Sequence, residues 1–258
     1  MIDLLRRLRE RWRPRSHPID DAAWQAVVAE SALVAALDAA DAARLREFCA
    51  RFLADKQFFA LAGAELDAHR RLLIAAQACL PVLALGYDHL RGWRQVLVYP
   101  GEFRVRREHH DEDTGVVTEG DDSLIGEAWE RGPLVLSWAD VAQDLADPHA
   151  GFNVVIHEIA HKLDMLDGGS DGVPPLPARL SRSEWIRTFQ QAYDRHCTAV
   201  DAGEDTAIDP YAAESPDEFF ACLVEAWHSD AALVEDAMPA VAALLQRLFR
   251  PAAGTAAI

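Results

Sequence analysis

Two histidines and a glutamate define the chemistry open to this chain. They stand in Val154-Val155-Ile156-His157-Glu158-Ile159-Ala160-His161, an H-E-x-x-H pattern behind an apolar run. On an α-helix, residues four apart share one face, so His157 and His161 can turn two imidazole nitrogens toward one ion. Glu158 stands roughly 100° round the helix from His157, placed to reach a water beside that ion rather than the ion itself. Zn²⁺ takes nitrogen and oxygen donors in a tetrahedron, and a catalytic centre keeps one corner for water. Such an ion would bring the pKa of that water toward about 7, with the Glu158 carboxylate as acceptor of its proton. The plain alternative is a helix that happens to carry two surface histidines. The apolar flank argues against it, because it places the pair on a half-buried helix, where an unpartnered imidazole is costly.

Two histidines do not hold a catalytic zinc alone, so another segment must supply a ligand. One source is local. The longer pattern H-E-x-x-H-x-x-G-x-x-H sets a third ligand six residues past the second histidine, where Asp167 stands. Its turn needs glycine at position 164, however, and Asp164 occupies it. The other source is a second helix. Ser215-Pro216-Asp217-Glu218-Phe219-Phe220 opens with a serine suited to the N-cap and a proline suited to the first turn. Phe219, Phe220, Leu223, Val224 and Trp227 then make a buried stripe, with Glu218, Cys222 and Glu225 on the neighbouring face. Glu218 has two readings of equal weight: a metal ligand, or the closing residue of a capping box with Ser215. Glu225 is the competing carboxylate. Asp164, one turn past His161, is placed either to orient a ligand from behind or to cap the helix.

The elements that hold these residues can be sketched from periodicity. Residues 21–37, 41–55 and 67–80 read as helices with apolar faces and little convergent polar chemistry. Strand patterns follow at 95–99, 103–106, 115–118 and 134–138, and the polar run 108–114, with His109 and His110, reads as a hairpin loop. The H-E-x-x-H helix extends over about 150–166 and is stopped by Gly168 and Gly169. The Gly-, Pro- and Asp-rich stretch 167–180 is a candidate rim of the site, and a further helix is expected at 183–197. The fold class is α+β, with a mainly helical N-terminal part, a small sheet and the H-E-x-x-H helix. Residues 1–17 form a basic segment, 18–250 one domain (18–90 helical, 91–250 catalytic) and 251–258 a tail.

Composition excludes several functions. With 42 acidic against 25 basic residues in 258, the net charge is −17, which opposes direct nucleic-acid binding. No apolar run approaches the roughly 18 residues of a membrane-spanning helix. Cys49, Cys79, Cys197 and Cys222 are scattered, as in a protein of a reducing compartment such as the cytoplasm. The start is arginine-rich, with Arg6, Arg7, Arg9, Arg11, Arg13 and Arg15, but lacks the continuous apolar core of a signal peptide. An interfacial helix on an anionic membrane is one reading of it; a loosely docked terminal helix is the simpler one.

Residues 157–168, His-Glu-Ile-Ala-His-Lys-Leu-Asp-Met-Leu-Asp-Gly, resemble the signature of the Mlc titration factor A (MtfA) zinc peptidases. Val98-Tyr99-Pro100-Gly101-Glu102-Phe103, Gly126-Glu127-Ala128-Trp129, the stretch 132–138 and Tyr211-Ala212-Ala213 agree with it in the same order. The resemblance covers roughly residues 20–250. It implies a zincin-like fold similar to the catalytic domain of anthrax lethal factor, a gluzincin. It implies one Zn²⁺ held by His157, His161 and Glu218, with Glu158 as general base. A tyrosine seven residues before the ligand glutamate matches Tyr211 and is expected to stabilise the transition state. The implied activity is aminopeptidase-like hydrolysis of peptide substrates, and the implied partner a transcription repressor of the Mlc type. A repressor-sequestering protein without catalysis is the alternative.

Overall fold

A computed structural model describes residues 17–101, 103–104, 107–110, 117–120, 123–124, 132–148 and 151–249. The arginine-rich start, the Gly126-Glu127-Ala128-Trp129 stretch, Glu102 and the 251–258 tail lie outside the described residues.

The N-terminal part is helical as expected, with one break. Helices α1 (Asp21–Glu30) and α2 (Ala32–Ala35) replace a single helix over 21–37. Ser31 sits between them in extended conformation and accepts the Val34 amide on its hydroxyl, so a local side-chain cap restarts the chain in a new direction. Helix α3 (Ala39–Asp55) follows, capped by Asp38. It leads straight into β1 (Gln57–Ala60), a strand too short to show alternation in the sequence. Helix α4 (Ala68–Cys79) is capped by Asp67 and packs along α3.

Strand β2 (Gln95–Tyr99) lies at the centre of a three-stranded parallel sheet, between β1 and β7 (Leu134–Ser137). Gln57 pairs with Gln95, and Val96 with Leu134. Between β2 and β7 come two short antiparallel pairs. Strand β3 (Phe103–Arg104) pairs with β6 (Ser123–Leu124), and β4 (Arg107–His110) with β5 (Val117–Gly120). His109 and His110 therefore stand on a strand opposite Thr118 and Val117, not in the expected loop.

Trp138 does not extend β7. It starts α5 (Trp138–Ala146), with Ser137 as N-cap accepting the Asp140 amide, a helix the strand pattern concealed. Helix α6 (Val154–Asp164) carries the H-E-x-x-H sequence and is shorter than expected at both ends. A single 3-10 turn, Met165–Asp167, tightens its exit, and Gly168 closes it at φ 91°, a conformation open to glycine. Helix α7 (Arg182–Asp201), a 3-10 turn at Pro210–Ala213, and helix α8 (Pro216–Ser229) follow. Helices α9 (Ala231–Ala237) and α10 (Pro239–Phe249), for which the sequence reading makes no assignment, close the described chain.

The fold centres on α6 packed against α8. Both are buried around nearly their whole circumference, which is why their sequences are apolar beyond a single stripe. Helix α6 touches β7, α4 and α5, while α8 is covered by α7, α9, α10 and the 210–213 turn. Phe219, Phe220, Leu223 and Val224 are all at most 1% exposed, as the stripe on α8 requires. The few polar side chains on these two helices are thus enclosed and must find partners in each other.

Candidate metal centre

Helix α6 is anchored at its amino end by side chains from elsewhere. Asn153 is the N-cap, and its Oδ1 accepts the Ile156 amide at 3.0 Å. The Val154 amide donates to Asp144 Oδ2 at 2.7 Å, and the Asn153 amide to Glu225 Oε2 at 2.8 Å. Three of the amides that a helix start leaves free are therefore satisfied, and the one to Glu225 ties the start of α6 to α8.

One turn on, three donors converge. His157 Nε2 and His161 Nε2 are 3.0 Å apart. Glu218 Oε2 lies 3.1 Å from the first and 3.3 Å from the second. Metal–nitrogen bonds of 2.0–2.1 Å at the tetrahedral angle separate neighbouring donors by about 3.3–3.4 Å, so this triangle is close to one face of a zinc tetrahedron. The donor chemistry agrees. His157 Nδ1 is hydrogen-bonded to Glu225 Oε1; an ionised carboxylate only accepts, so Nδ1 carries a proton and Nε2 is the nitrogen turned toward the triangle. These three atoms call for positive charge among them, supplied by a proton on the imidazole or by a metal ion. His157, His161 and Glu218 could hold a divalent metal; a second set that could, His157 with Cys222 and Glu225, shares the same ring.

The surroundings point the same way. Burial opposes charge on His157, but Glu225 and Glu218 outweigh it and raise its pKa well above that of an ordinary imidazole. Burial pushes Glu218 up, yet the two imidazoles hold it well below the usual carboxylate range. Glu158 is 1% exposed, its carboxyl is raised by burial, and its Oε2 has no hydrogen-bond partner among the described residues. Tyr211 stands half exposed on the 3-10 turn, whose N-cap, Asp209, accepts the Tyr211 amide. Burial and the Glu218 charge push its phenol up to about 12, so it remains a proton donor across the neutral range.

Of the two readings of Glu218, the closed capping box is not formed. Ser215 does cap α8, its hydroxyl accepting the Glu218 amide at 3.4 Å. The Glu218 carboxylate, however, faces the imidazoles rather than turning back on the cap. Glu225 lies behind His157, on Nδ1, and not among the converging atoms. Asp167 is turned to the surface, 3.6 Å from Arg182. Asp164 neither orients a histidine nor caps α6. It is fully buried and accepts the Gly172 amide at 2.8 Å, pinning the loop after α6 instead of leaving it as an open rim. Gly172 has φ +75°, and a Cβ there would meet the Pro216 carbonyl at 2.5 Å. The same glycine's carbonyl accepts the Trp185 indole N–H. This loop is a wedge between the end of α6 and the start of α8, and it sets where Glu218 arrives. The sequence reading missed Asn153, Asp144 and Gln77; only Asn153, just ahead of an apolar run, gave a signal, that of an N-cap.

The family model described as glucose-regulated metallo-peptidase M90 matches residues 5–250. A protein named Mlc titration factor A from Salmonella arizonae is 40% identical over 212 residues, which is 81% of this chain and 83% of that protein. One of the same name from Yersinia pestis is 39% identical over 221 residues, covering 84% and 80% respectively.

Proposed function

Since the chain belongs to the glucose-regulated metallo-peptidase family M90, we propose that it is a zinc peptidase with an aminopeptidase-like action on short peptides. His157, His161 and Glu218 hold the ion in this reading. The observation that carries it is the triangle of Nε2, Nε2 and Oε2 atoms at 3.0, 3.1 and 3.3 Å. A zinc ion bound there supplies a Lewis acid for the scissile carbonyl and for the attacking water. Glu158 takes the proton of that water and delivers it to the leaving amine; its burial and raised pKa suit a group that must hold a proton between the two transfers. The Tyr211 hydroxyl donates to the carbonyl oxygen as negative charge develops on it. The acidic stretch 201–217 and the net charge of −17 favour a substrate with a free amine. The thiols of Cys49, Cys79, Cys197 and Cys222 are all free, which suits work in the reducing cytoplasm.

Metal content and peptide cleavage measured side by side test the proposal. Wild type should carry one zinc per chain and cleave, whereas Glu218→Ala should lose both. Cleavage by metal-free protein would sink the reading.

A second reading rests on the name of the relatives, which associates those proteins with titration of Mlc. In it the chain also binds a transcription repressor of that type, with or without catalysis. Glu158→Gln separates the two. Cleavage should fall by roughly 10²–10⁴-fold with zinc retained. Repressor binding, if it is an independent activity, should not change.

A further inference from the structure

The carboxylate behind His157 has more to do than fill space. Glu225 is 5% exposed on α8, two helical turns past Glu218. Its two oxygens have different partners: Oε1 meets His157 Nδ1, and Oε2 accepts the Asn153 amide at 2.8 Å. Asn153 in turn caps α6 through Oδ1 and donates its side-chain N–H to Gln77 Oε1 on α4, at 2.6 Å. Gln77 is 1% exposed. One buried chain of hydrogen bonds thus runs from α4 through the start of α6 to α8 and ends on the back of an imidazole whose front faces His161 and Glu218.

We propose that Glu225 is the positioning residue for the metal centre: it fixes His157 as the Nδ1–H tautomer and, through Asn153, locks that ring's orientation to the start of its own helix. The inference rests on the reading of the triangle as a zinc site. Its logic is a count of donors and acceptors. Two N–H groups, His157 Nδ1–H and Asn153 N–H, point at one side chain, and only a carboxylate offers an acceptor to each. A glutamine of the same shape has one acceptor and one NH₂. If its oxygen serves Asn153, its NH₂ faces His157 and demands a lone pair on Nδ1, which moves the proton to Nε2, the nitrogen that must ligate. If its oxygen serves His157, two N–H groups collide at Asn153. Glu225→Gln therefore disturbs either the tautomer or the helix start while changing almost no volume.

The test is zinc affinity by competition with a chelator, on wild type, Glu225→Gln and Asp144→Ala. Asp144 is the control because it accepts the neighbouring Val154 amide at the same helix end without touching His157. Glu225→Gln should lower zinc affinity by roughly 10- to 100-fold, the usual cost of removing a partner behind a ligand histidine. Asp144→Ala should lower the melting temperature and leave zinc affinity within about twofold. Long-range ¹H–¹⁵N spectra of the zinc-loaded wild type supply a readout that needs no variant: His157 should show a protonated Nδ1 with a low-field proton. Wild-type zinc affinity in Glu225→Gln, an equal loss in both variants, or an unprotonated Nδ1 would overturn the assignment. Failure of the wild type itself to bind zinc would instead overturn the reading of the triangle.

Discussion

The protein buries two polar clusters that are opposites. Near β1, Lys56 is 6% exposed, and its ammonium donates to the Leu90 carbonyl at 2.5 Å and the Trp93 carbonyl at 2.8 Å. The same nitrogen lies 3.5 Å from the centre of the Trp93 ring. Burial lowers the pKa of this amine to about 7, and its acceptors come from the protein itself. Between α6 and α8 the signs are reversed. There Glu218 and the Nε2 atoms of His157 and His161 converge, with Glu158 and Glu225 close by, and the groups facing the centre are acceptors. Burial alone does not separate a functional cluster from a structural one, since both are enclosed. What separates them is whether the protein supplies hydrogen-bond acceptors for the buried amine, as at Lys56, or turns several acceptors on one point, as between α6 and α8. The first cluster stitches α3 to the chain around Trp93. The second turns its acceptors toward one point, where a proton on His157 or a metal ion supplies the positive charge.

The widest break between the two should come from removing metal. Chelation is expected to abolish cleavage, with activity restored by stoichiometric zinc. It should also lower the melting temperature, because an ion held at about 1,000 times its dissociation constant contributes about 4 kcal/mol to the folded state. A chelator that left cleavage intact would remove the contrast altogether. The converse is Lys56→Met, which keeps the aliphatic bulk but strands two buried carbonyls. Each stranded group costs about 1–3 kcal/mol, so a loss of about 2–6 kcal/mol is expected in urea unfolding. Zinc content and cleavage per folded molecule should not change. A loss of zinc would mean that the two clusters are coupled.

Their legibility in the sequence differed for physical reasons. His157, Glu158 and His161 could be read because a helix converts a spacing of four into one face, and α6 is a helix. The apolar stripe of α8 and its cap at Ser215 were equally plain. Whether the Glu218 carboxylate turned to the cap or to the histidines was not, since a capping box and a metal ligand ask for the same residue at the same place. The resemblance supplied the expectation, and the geometry brought the three side chains together. Glu225 was visible as a carboxylate on the right face, but only packing shows that it lies behind His157 rather than beside it. The Lys56 cluster left no signal, because its acceptors are backbone carbonyls, which every residue carries. Strand β1 was missed through brevity, and helix α5 because the strand pattern at 134–138 runs into its first residue, Trp138. The break at Ser31 was hidden for a similar reason: one hydroxyl cap interrupts a pattern whose periodicity continues.

The contrast can be sharpened where the wedge loop meets both ligand helices. Gly172→Ala forces a Cβ against the Pro216 carbonyl at a positive φ, so either the loop or the first turn of α8 must move. Strain of this kind costs on the order of 1–3 kcal/mol. Unlike Lys56→Met, this change should also weaken zinc binding, because Glu218 is two residues past Pro216. Equal zinc affinity in Gly172→Ala and wild type would show that Glu218 is placed by α8 packing alone.

The smallest effect expected is at Asp164, whose acceptor role is already met by the Gly172 amide. Burial raises its carboxyl from 3.8 to about 6. Between those values the unfolded chain has released a proton that the folded chain still keeps. Stability from this group therefore falls as pH rises through the window and stays lower above it. Asp164→Asn retains an oxygen for Gly172 and has no charge to bury. Its stability relative to wild type should be lowest near pH 4 and improve by roughly 1–3 kcal/mol by pH 8; the cost of the new NH₂ is the same at both pH values and cancels. Urea midpoints at the two pH values measure this difference, and other titrating groups cancel in it. A relative stability that falls between pH 4 and pH 8 would mean that the ionised carboxylate itself holds the wedge. Asp164 would then belong with the clusters that need charge rather than with those that only need an acceptor.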